Sequence, residues 1–317
     1  MKTEYNAGMQ GAIVIDKPAG LTSHEVVARA RKIIGERRIG HTGTLDPFAT
    51  GVLVLLIGPA TRLGQFLSGA EKEYQAVFRL GFATDTGDST GTRIESRART
   101  EDSQKFTKEE IEAALAALRG EIRQTPPMYS AKKIGGRKLY EFAREGVEVE
   151  RAAVAVNIIE FEALTPGDLV LEKEGAADLT VRVVCSAGTY IRTLAEDFGK
   201  QLGIGAHVGE LRRTRAGSFT AEQSITLERL AELAQNGALA QVLFSPDETI
   251  SHLAFVQLSD SEANRIRHGI DLKVVETDSW RDGQFLRLRD KTGNLIGVGK
   301  YSKSESIVHP QVVIGEG

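Results

Sequence analysis

The segment from Gly40 to Gly51 constrains the fold more than any other part of the chain. It holds three glycines, three threonines and a proline, a composition unsuited to a regular helix or an alternating strand. An uninterrupted apolar run follows at 52–57 and predicts a buried strand directly after the loop. Loops fixed against a buried strand are common places for functional side chains. We therefore expect a site here.

Two titratable side chains lie in this loop, His41 and Asp46. Pro47 restricts the preceding Asp46 to extended backbone and prevents a helix from continuing through it. This geometry fits a carboxylate that is presented rigidly for chemistry. The loop alone leaves an alternative open, in which Asp46 only caps the turn that Pro47 begins.

Length and composition indicate a soluble globular protein with one large domain and a small one, because the 317 residues are 41% hydrophobic and 26% charged. No apolar run approaches the roughly 20 residues that span a bilayer. The polar N-terminus lacks the apolar core of a signal peptide, so a cytoplasmic location without a membrane is expected. Cys185 stands alone and the six histidines show no close pairing, so we expect no disulfide and no metal site.

Positive charge is clustered although the net charge is −3. Residues 29–38 and residues 128–144 each hold five basic side chains and one acidic one, and Arg212, Arg213 and Arg215 form a third group. A single cluster is commonly a solvated helix face. Three clusters favour a polyanionic partner, since phosphate contacts need local positive charge and not a positive total.

Strands and helices alternate in mixed order along the chain. Residues 11–15 predict a strand, Thr22 and Glu25 form a capping box that begins a helix ending at Gly35, and residues 73–82 alternate with Tyr74 facing inward. Further elements are a loop at 83–104, a helix from Thr107 to a stop at Gly120, strands at 153–162 and 179–185, a helix after 186–189, and a helix at 227–234. The pattern predicts an α+β fold with a mixed, largely antiparallel central sheet flanked by helices.

Two segments depart from this pattern. Residues 124–146 combine two prolines, two adjacent glycines and five basic side chains, which predicts a mobile excursion outside the core. Residues 250–317 begin with a predicted short strand and contain a predicted hairpin of 284–289 and 295–301, which indicates a separate small β-rich domain.

Four side chains could form a catalytic group. Asp46 supplies a nucleophile or base, Tyr74 and Tyr190 supply aromatic faces, and Arg192 supplies a fixed cation for a carboxylate. Taken singly, each tyrosine is more typical of a core and the arginine of a surface. The chain has no serine-centred nucleophile elbow and no Walker-type loop.

Seven segments, in order, resemble the TruB family of tRNA pseudouridine synthases, which isomerise uridine 55 in the T-loop. They are residues 11–18, 40–51, 72–74, 81–88, 126–133, 185–195 and 211–215. The resemblance covers 11–217 and implies the pseudouridine synthase fold for a catalytic domain at 1–247. It also implies an RNA-gripping thumb at 124–146 and a small PUA-like RNA-binding domain at 248–317.

The resemblance implies roles for the candidate residues. Asp46 is the catalytic aspartate, and whether it attacks the sugar or the base stays open. Tyr74 stacks on the flipped base and takes part in the later proton abstraction, while Tyr190 packs under the nucleotide. Arg192 pairs with Asp46 and keeps it ionised and aimed.

The same resemblance implies the RNA contacts and the partners. The contacts involve His41 near the extruded nucleotide, Lys17 in support of the site, Leu211 beside the base, and Lys132, Lys133, Arg137 and Lys138 on the thumb. The partner is the T stem-loop of tRNA, without an obligate protein partner. No cofactor is expected, since an isomerisation exchanges no electrons and consumes no cosubstrate.

Two alternatives stay open at this stage. One is the guide-RNA-dependent, dyskerin-type relative, which usually carries a larger PUA region and lysine-rich extensions that this chain lacks. The other is a non-catalytic tRNA chaperone, against which the complete set of candidate catalytic residues counts.

Overall fold

The computed structural model describes residues 8–94, 104–165, 167–171, 176–275 and 279–314. The helices are α1 Ser23–Ile34, α2 Gly64–Leu67, α3 Lys108–Ala116, α4 Leu139–Arg144, α5 Ile191–Gln201, α6 Leu227–Gln235, α7 Pro246–Thr249 and α8 Asp260–Arg267. The strands are β1 Gly11–Lys17, β2 Ile39–His41, β3 Thr50–Ile57, β4 Lys72–Leu80, β5 Ala83–Thr84, β6 Arg93–Ile94, β7 Gln104–Phe106, β8 Gly120–Gln124, β9 Lys133–Ile134, β10 Arg137–Lys138, β11 Val154–Ala163, β12 Leu169–Leu171, β13 Ala177–Cys185, β14 Ala206–Ala216, β15 Phe219–Thr220, β16 Phe255–Gln257, β17 Leu272–Lys273, β18 Phe285–Arg289, β19 Leu295–Ser302 and β20 Ile307–Val313.

A large sheet forms the centre of the molecule. Its strands run in the order β1-β3-β14-β4-β13-β11-β8, with β2 paired to β3 and β15 paired to β14. Within the described residues these pairings are antiparallel, except that β3 and β14 run parallel. The predicted α+β fold with a mixed, largely antiparallel sheet is confirmed.

Helices pack against the sheet in two separate cores. The inward residues of β4, including Tyr74 and Phe78, are buried as the alternation predicts. They share one core with α3 and α5, in which Phe78, Phe161 and Phe198 contact each other at centroid distances of 5.9 to 6.2 Å. A separate core lies between α1, α6 and the β1–β3 pair. Tyr74 therefore lies on a rigid strand at the edge of the larger core.

Some local predictions were wrong. Helix α3 ends at Ala116, and Gly120, predicted as its stop, instead begins β8 with a φ of +80°. The predicted loop at 83–104 contains the β5–β6 pair, and its residues 95–103 lie outside the described residues. The excursion at 124–146 contains the β9–β10 hairpin and α4, and it buries Leu139 completely.

The C-terminal residues form a second, five-stranded sheet in the order β16-β18-β19-β20-β17. Its apolar residues join Val52 and Leu56 of β3 in one buried cluster, and Phe285 meets Phe66 edge to face at 5.1 Å. The predicted β-rich C-terminal unit is confirmed. No helix within the described ranges is long and apolar enough to cross a membrane.

Candidate active site

Asp46 lies in the loop between β2 and β3, which is held from below by two polar side chains. The Ser23 hydroxyl accepts a hydrogen bond from the Leu45 amide (2.9 Å) and donates to the Leu45 carbonyl (3.1 Å). The Lys17 ammonium is fully buried beneath the loop and donates to the Pro47 carbonyl at 3.2 Å. The backbone on both sides of Asp46 is therefore fixed.

Arg213 of β14 holds the same loop from the side. Its Nη2 donates to the Gly43 carbonyl at 3.0 Å and its Nε to the Val52 carbonyl at 2.7 Å. The backbone of Arg213 also approaches Gly51 so closely that a Cβ there would lie 2.2 Å from the Arg213 carbonyl oxygen. With a φ of +98°, Gly51 is the residue type that this junction requires.

Arg192 connects the loop to two other segments. Its Nε lies 2.9 Å from the Asp46 Oδ2, and its two Nη atoms donate to the carbonyls of Thr86 (2.8 Å) and Tyr129 (2.7 Å). Asp88 adds a second carboxylate 3.7 Å from Nη1. The arginine is only 3% exposed. A buried guanidinium therefore fixes the direction in which the Asp46 carboxylate points.

The pKa of Asp46 is raised above its usual value, and burial is the largest cause. The negative charge of Asp88 adds to this rise, while Arg192 and Lys17 oppose it. The Asp46–Arg192 ion pair that the resemblance implied is present. Desolvation nevertheless outweighs it, so the carboxylate is a stronger base than an exposed aspartate.

The two tyrosines and Leu211 border one cavity of about 270 Å³ together with Asp46 and Arg192. Tyr74 is buried on β4, and its hydroxyl lies against the Arg213 guanidinium. Burial raises the pKa of this phenol. Tyr190 caps the N-terminus of α5, where its amide donates to the Gln124 side chain at 3.0 Å. The structure thus brings the four predicted catalytic residues into one place.

The other two N-terminal candidates lie around the loop. His41 meets His24 edge to face at 5.4 Å, and burial, His24 and Arg213 lower the pKa of His41 to about 4. It is therefore neutral near pH 7. Lys17 directs its ammonium into the backbone carbonyls beneath the loop. Across the described ranges, no group of three or more His, Cys, Asp or Glu side chains is arranged to hold a metal ion.

The thumb cations differ in their surroundings. Arg137 pairs with Glu145 at 2.5 Å and stacks on Phe142 at 4.3 Å, and the Lys138 ammonium lies 5.4 Å from the centre of the Tyr140 ring. Lys133 is exposed and Lys132 half-buried.

The third basic group does not act as one cluster. Arg212 pairs with Asp16 at 2.8 Å, while Arg213 is buried beneath the Asp46 loop. Arg215 lies 3.8 Å from Glu73. Each of these arginines therefore makes internal contacts, and Arg213 is too deeply buried to share one surface patch with Arg212 and Arg215.

Sequence reasoning missed two residues of this site. Asp88 was not among the sequence candidates, but its carboxylate lies 3.7 Å from the Arg192 Nη1. Lys72 lines the cavity. It lies two residues before Tyr74 on the same face of β4, and this spacing could have predicted that both side chains reach the same site.

Three protein-family matches lie along the chain. Residues 31–191 match the N-terminal domain of the TruB family pseudouridylate synthases. The chain belongs to this family. Residues 192–250 match the tRNA pseudouridylate synthase B C-terminal domain, and residues 254–314 match the C-terminal domain of pseudouridine synthase II TruB.

Curated relatives match over nearly their full length. A tRNA pseudouridine synthase B of Bacillus anthracis is 43% identical over 96% of this chain and 97% of its own. The protein of that name from Stutzerimonas stutzeri is 41% identical over 97% of each chain, and that from Heliobacterium modesticaldum is 40% identical over 92% and 90%.

Solved structures show the same fold. A chain of a Cbf5-Nop10-Gar1 complex superimposes with a TM-score of 0.71 at 28% identity, covering 96% of this chain and 85% of that one. A chain of an H/ACA RNP bound to a substrate RNA containing 2′-deoxyuridine gives a TM-score of 0.71 at 27% identity, with the same coverage. The pseudouridine synthase fold is thereby shown.

Proposed function

We propose that this chain isomerises uridine to pseudouridine at position 55 in the T-loop of tRNA, with Asp46 as the covalent catalyst. The observation that carries this proposal is the pairing of the half-buried Asp46 carboxylate with the buried Arg192 guanidinium in a cavity bordered by Tyr74 and Tyr190. Family membership supports the reaction, and relatives named tRNA pseudouridine synthase B support tRNA as the substrate.

The reaction breaks the N1–C1′ glycosidic bond, rotates the uracil and forms a C5–C1′ bond. The proton on C5 is lost and N1 gains one, so no electrons are exchanged. The Asp46 carboxylate attacks either the sugar or the base and is released when the new bond is complete. We propose that Tyr74 takes part in removing the C5 proton, a step that requires its hydroxyl, which lies against the Arg213 guanidinium, to be in the phenolate form.

The target base must leave the T-loop stack before it can reach Asp46. Extrusion of a base costs a few kcal/mol, which stacking and phosphate contacts offset. Tyr74 and Tyr190 supply the aromatic faces. We propose that the thumb at 124–146 grips the RNA backbone and that the PUA-like domain at 248–317 extends the contact beyond the catalytic domain at 1–247.

We propose that the reaction needs neither a cofactor nor an obligate protein partner and takes place in the cytoplasm, where tRNA is found.

Purified protein is to be incubated with an unmodified tRNA transcript alone, and pseudouridine is to be mapped along the RNA. We expect modification at uridine 55 only. Product at several unrelated positions, or only after a guide RNA is added, would reject the stand-alone enzyme. RNA refolding without any product would favour the chaperone.

The pH dependence of the single-turnover rate should follow the ionisation of the Asp46 carboxylate. Protonated Asp46 cannot attack, so the rate is lost as pH falls through the raised pKa of this group. We expect the acidic inflection above the usual aspartate value of 3.8. Replacement of Asp88 by asparagine removes a charge that raises this pKa, so the inflection should move to lower pH. An inflection at or below 3.8 in the wild type would contradict this electrostatic description.

The double variant Lys132→Ala/Lys133→Ala should weaken RNA binding and flatten its salt dependence. Each lysine that contacts a phosphate contributes about 0.7 to 0.9 to the slope of log K against log salt concentration. Lys105→Ala/Lys108→Ala removes the same charge from the β7–α3 region, outside the cavity, and should leave the slope unchanged. An unchanged slope in the thumb variant would show that these lysines do not contact phosphates.

A further inference from the structure

Two buried cations line the cavity without a carboxylate partner among the described residues. Lys72 is 8% exposed and Arg213 is 2% exposed, and both line the cavity that holds Asp46. Within the described part of the chain, neither forms a salt bridge. A cation buried without a carboxylate is costly for folding unless a ligand or other acceptors compensate it.

The two buried lysines near the loop, Lys17 and Lys72, differ in how many backbone carbonyls accept a hydrogen bond from the ammonium group. An ammonium has three N–H donors. Lys17 directs all three to carbonyls, those of Pro18, Leu21 and Pro47, at 2.9, 2.6 and 3.2 Å. Among the residues that the structure describes, Lys72 donates to two carbonyls, those of Ser68 at 3.0 Å and Ala70 at 2.7 Å. Lys72 therefore keeps one donor for another acceptor.

Arg213 likewise does not direct all of its N–H donors to backbone carbonyls. A guanidinium has five N–H donors, and Arg213 commits three of them to the carbonyls of Gly43, Thr44 and Val52. A further one lies against the Tyr74 hydroxyl. By contrast, Arg192 has two carboxylates and two carbonyls around it.

Gly43 brings the two cations together under the loop. A Cβ at this position would lie 3.6 Å from the Arg213 Nη1 and 3.8 Å from the Lys72 Cε. Both cations thus contact the same turn of the Asp46 loop. Burial and the neighbouring Arg213 lower the pKa of Lys72 to about 8, so a bound anion would restore the charge that burial disfavours.

The position of the pair favours a phosphate over the uracil ring. Lys72 and Tyr74 are two residues apart on one face of β4, which separates them by about 7 Å. If the base occupies the centre of the cavity at Tyr74 and Asp46, Lys72 is displaced from it along the strand. A nucleotide carries its phosphate at such a displacement from its base.

We propose that Lys72 and Arg213 form an anion subsite that takes an RNA phosphate on one side of the extruded uridine. This inference rests on the proposed function for the identity of the RNA. The subsite holds the backbone while the base turns over Asp46, so Lys72 is a binding residue and Arg213 both binds and supports the loop.

The test uses synthetic T stem-loop RNAs in which one methylphosphonate replaces the phosphate 5′ or 3′ of the target uridine. Lys72→Met should weaken binding of the native RNA by about tenfold or more, since it removes a charged hydrogen bond. One of the two neutral-linkage RNAs should bind wild type and Lys72→Met equally. Lys72→Arg should retain most of the affinity for native RNA.

Control variants distinguish loss of the phosphate contact from loss of enzymatic activity and from misfolding of the variant. Lys200→Met removes an exposed lysine paired with Asp197 and should bind every RNA as the wild type does. Lys72→Gln, which can still donate a hydrogen bond, replaces Lys72→Met if circular dichroism shows the latter unfolded. Pseudouridine formation by the wild type on native RNA tests the function separately. An equal loss from Lys72→Met on all three RNAs would overturn the phosphate subsite even if the enzyme is active.

Discussion

Replacing Asp46 by asparagine is expected to abolish pseudouridine formation while RNA affinity stays within about twofold. The amide has nearly the same shape but cannot act as the nucleophile, so the loss falls on the chemical step. We expect the single-turnover rate to fall by a factor of at least about 10⁴, as when an essential nucleophile is removed from other enzymes. Mapping of pseudouridine and a filter-binding assay on the same tRNA measure the two quantities.

Asp178→Asn is the matched control for this variant. Asp178 also pairs with an arginine, Arg79, but both side chains are more than 40% exposed and lie outside the cavity. The control should keep the wild-type rate. Residual pseudouridine formation above about a hundredth of the wild-type rate in Asp46→Asn would contradict a covalent role for this carboxylate.

Replacing Arg192 by methionine should impair both stability and catalysis. The variant removes the buried guanidinium that pairs with the buried Asp88 and the half-buried Asp46 carboxylates and that donates to the Thr86 and Tyr129 carbonyls. Loss of one partner from a buried ion pair costs about 3 to 5 kcal/mol of unfolding free energy. Because the carboxylate also loses its orientation, we expect the single-turnover rate to fall by about 10³ or more. Urea unfolding and pseudouridine mapping measure the two effects.

Two further variants make the Arg192 result specific. Arg192→Lys keeps the charge but cannot reach several partners at once, so its rate should lie between those of wild type and Arg192→Met. Arg79→Met breaks only the exposed pair with Asp178, which is worth about 0 to 1 kcal/mol. Wild-type stability and rate in Arg192→Met would show that the ion pair has no role.

Much of the fold could be predicted from local sequence because short-range signals agree there with the final packing. The capping box of Thr22 and Glu25 and the αL glycine at Gly35 determine the two ends of α1, and the alternation around Tyr74 and Phe78 determines β4. Strand β14 escaped prediction. Its pairing with β4 shifts register between Val208 and Glu210 and again near Arg213, so a period of two does not persist along it.

The candidate site was predictable to the extent that its residue types already indicate chemistry. Asp46, Tyr74, Tyr190 and Arg192 belong to recognisable segments, and the structure brings them to one cavity. The contacts that depend on long-range pairing were not predictable. The approach of Asp88 to Arg192 depends on how distant segments pack, and local patterns carry no information about it.

Release of tritium from tRNA labelled at uridine C5 tests most directly whether Asp46 catalyses the isomerisation of one T-loop uridine. Formation of the C5–C1′ bond expels the C5 hydrogen, so each turnover releases one label into water. With purified protein and no additions, we predict one equivalent of released tritium per tRNA for wild type and none for Asp46→Asn. A transcript with cytidine at position 55 should release none either. Release by Asp46→Asn, or from the position-55 cytidine transcript, would contradict the account.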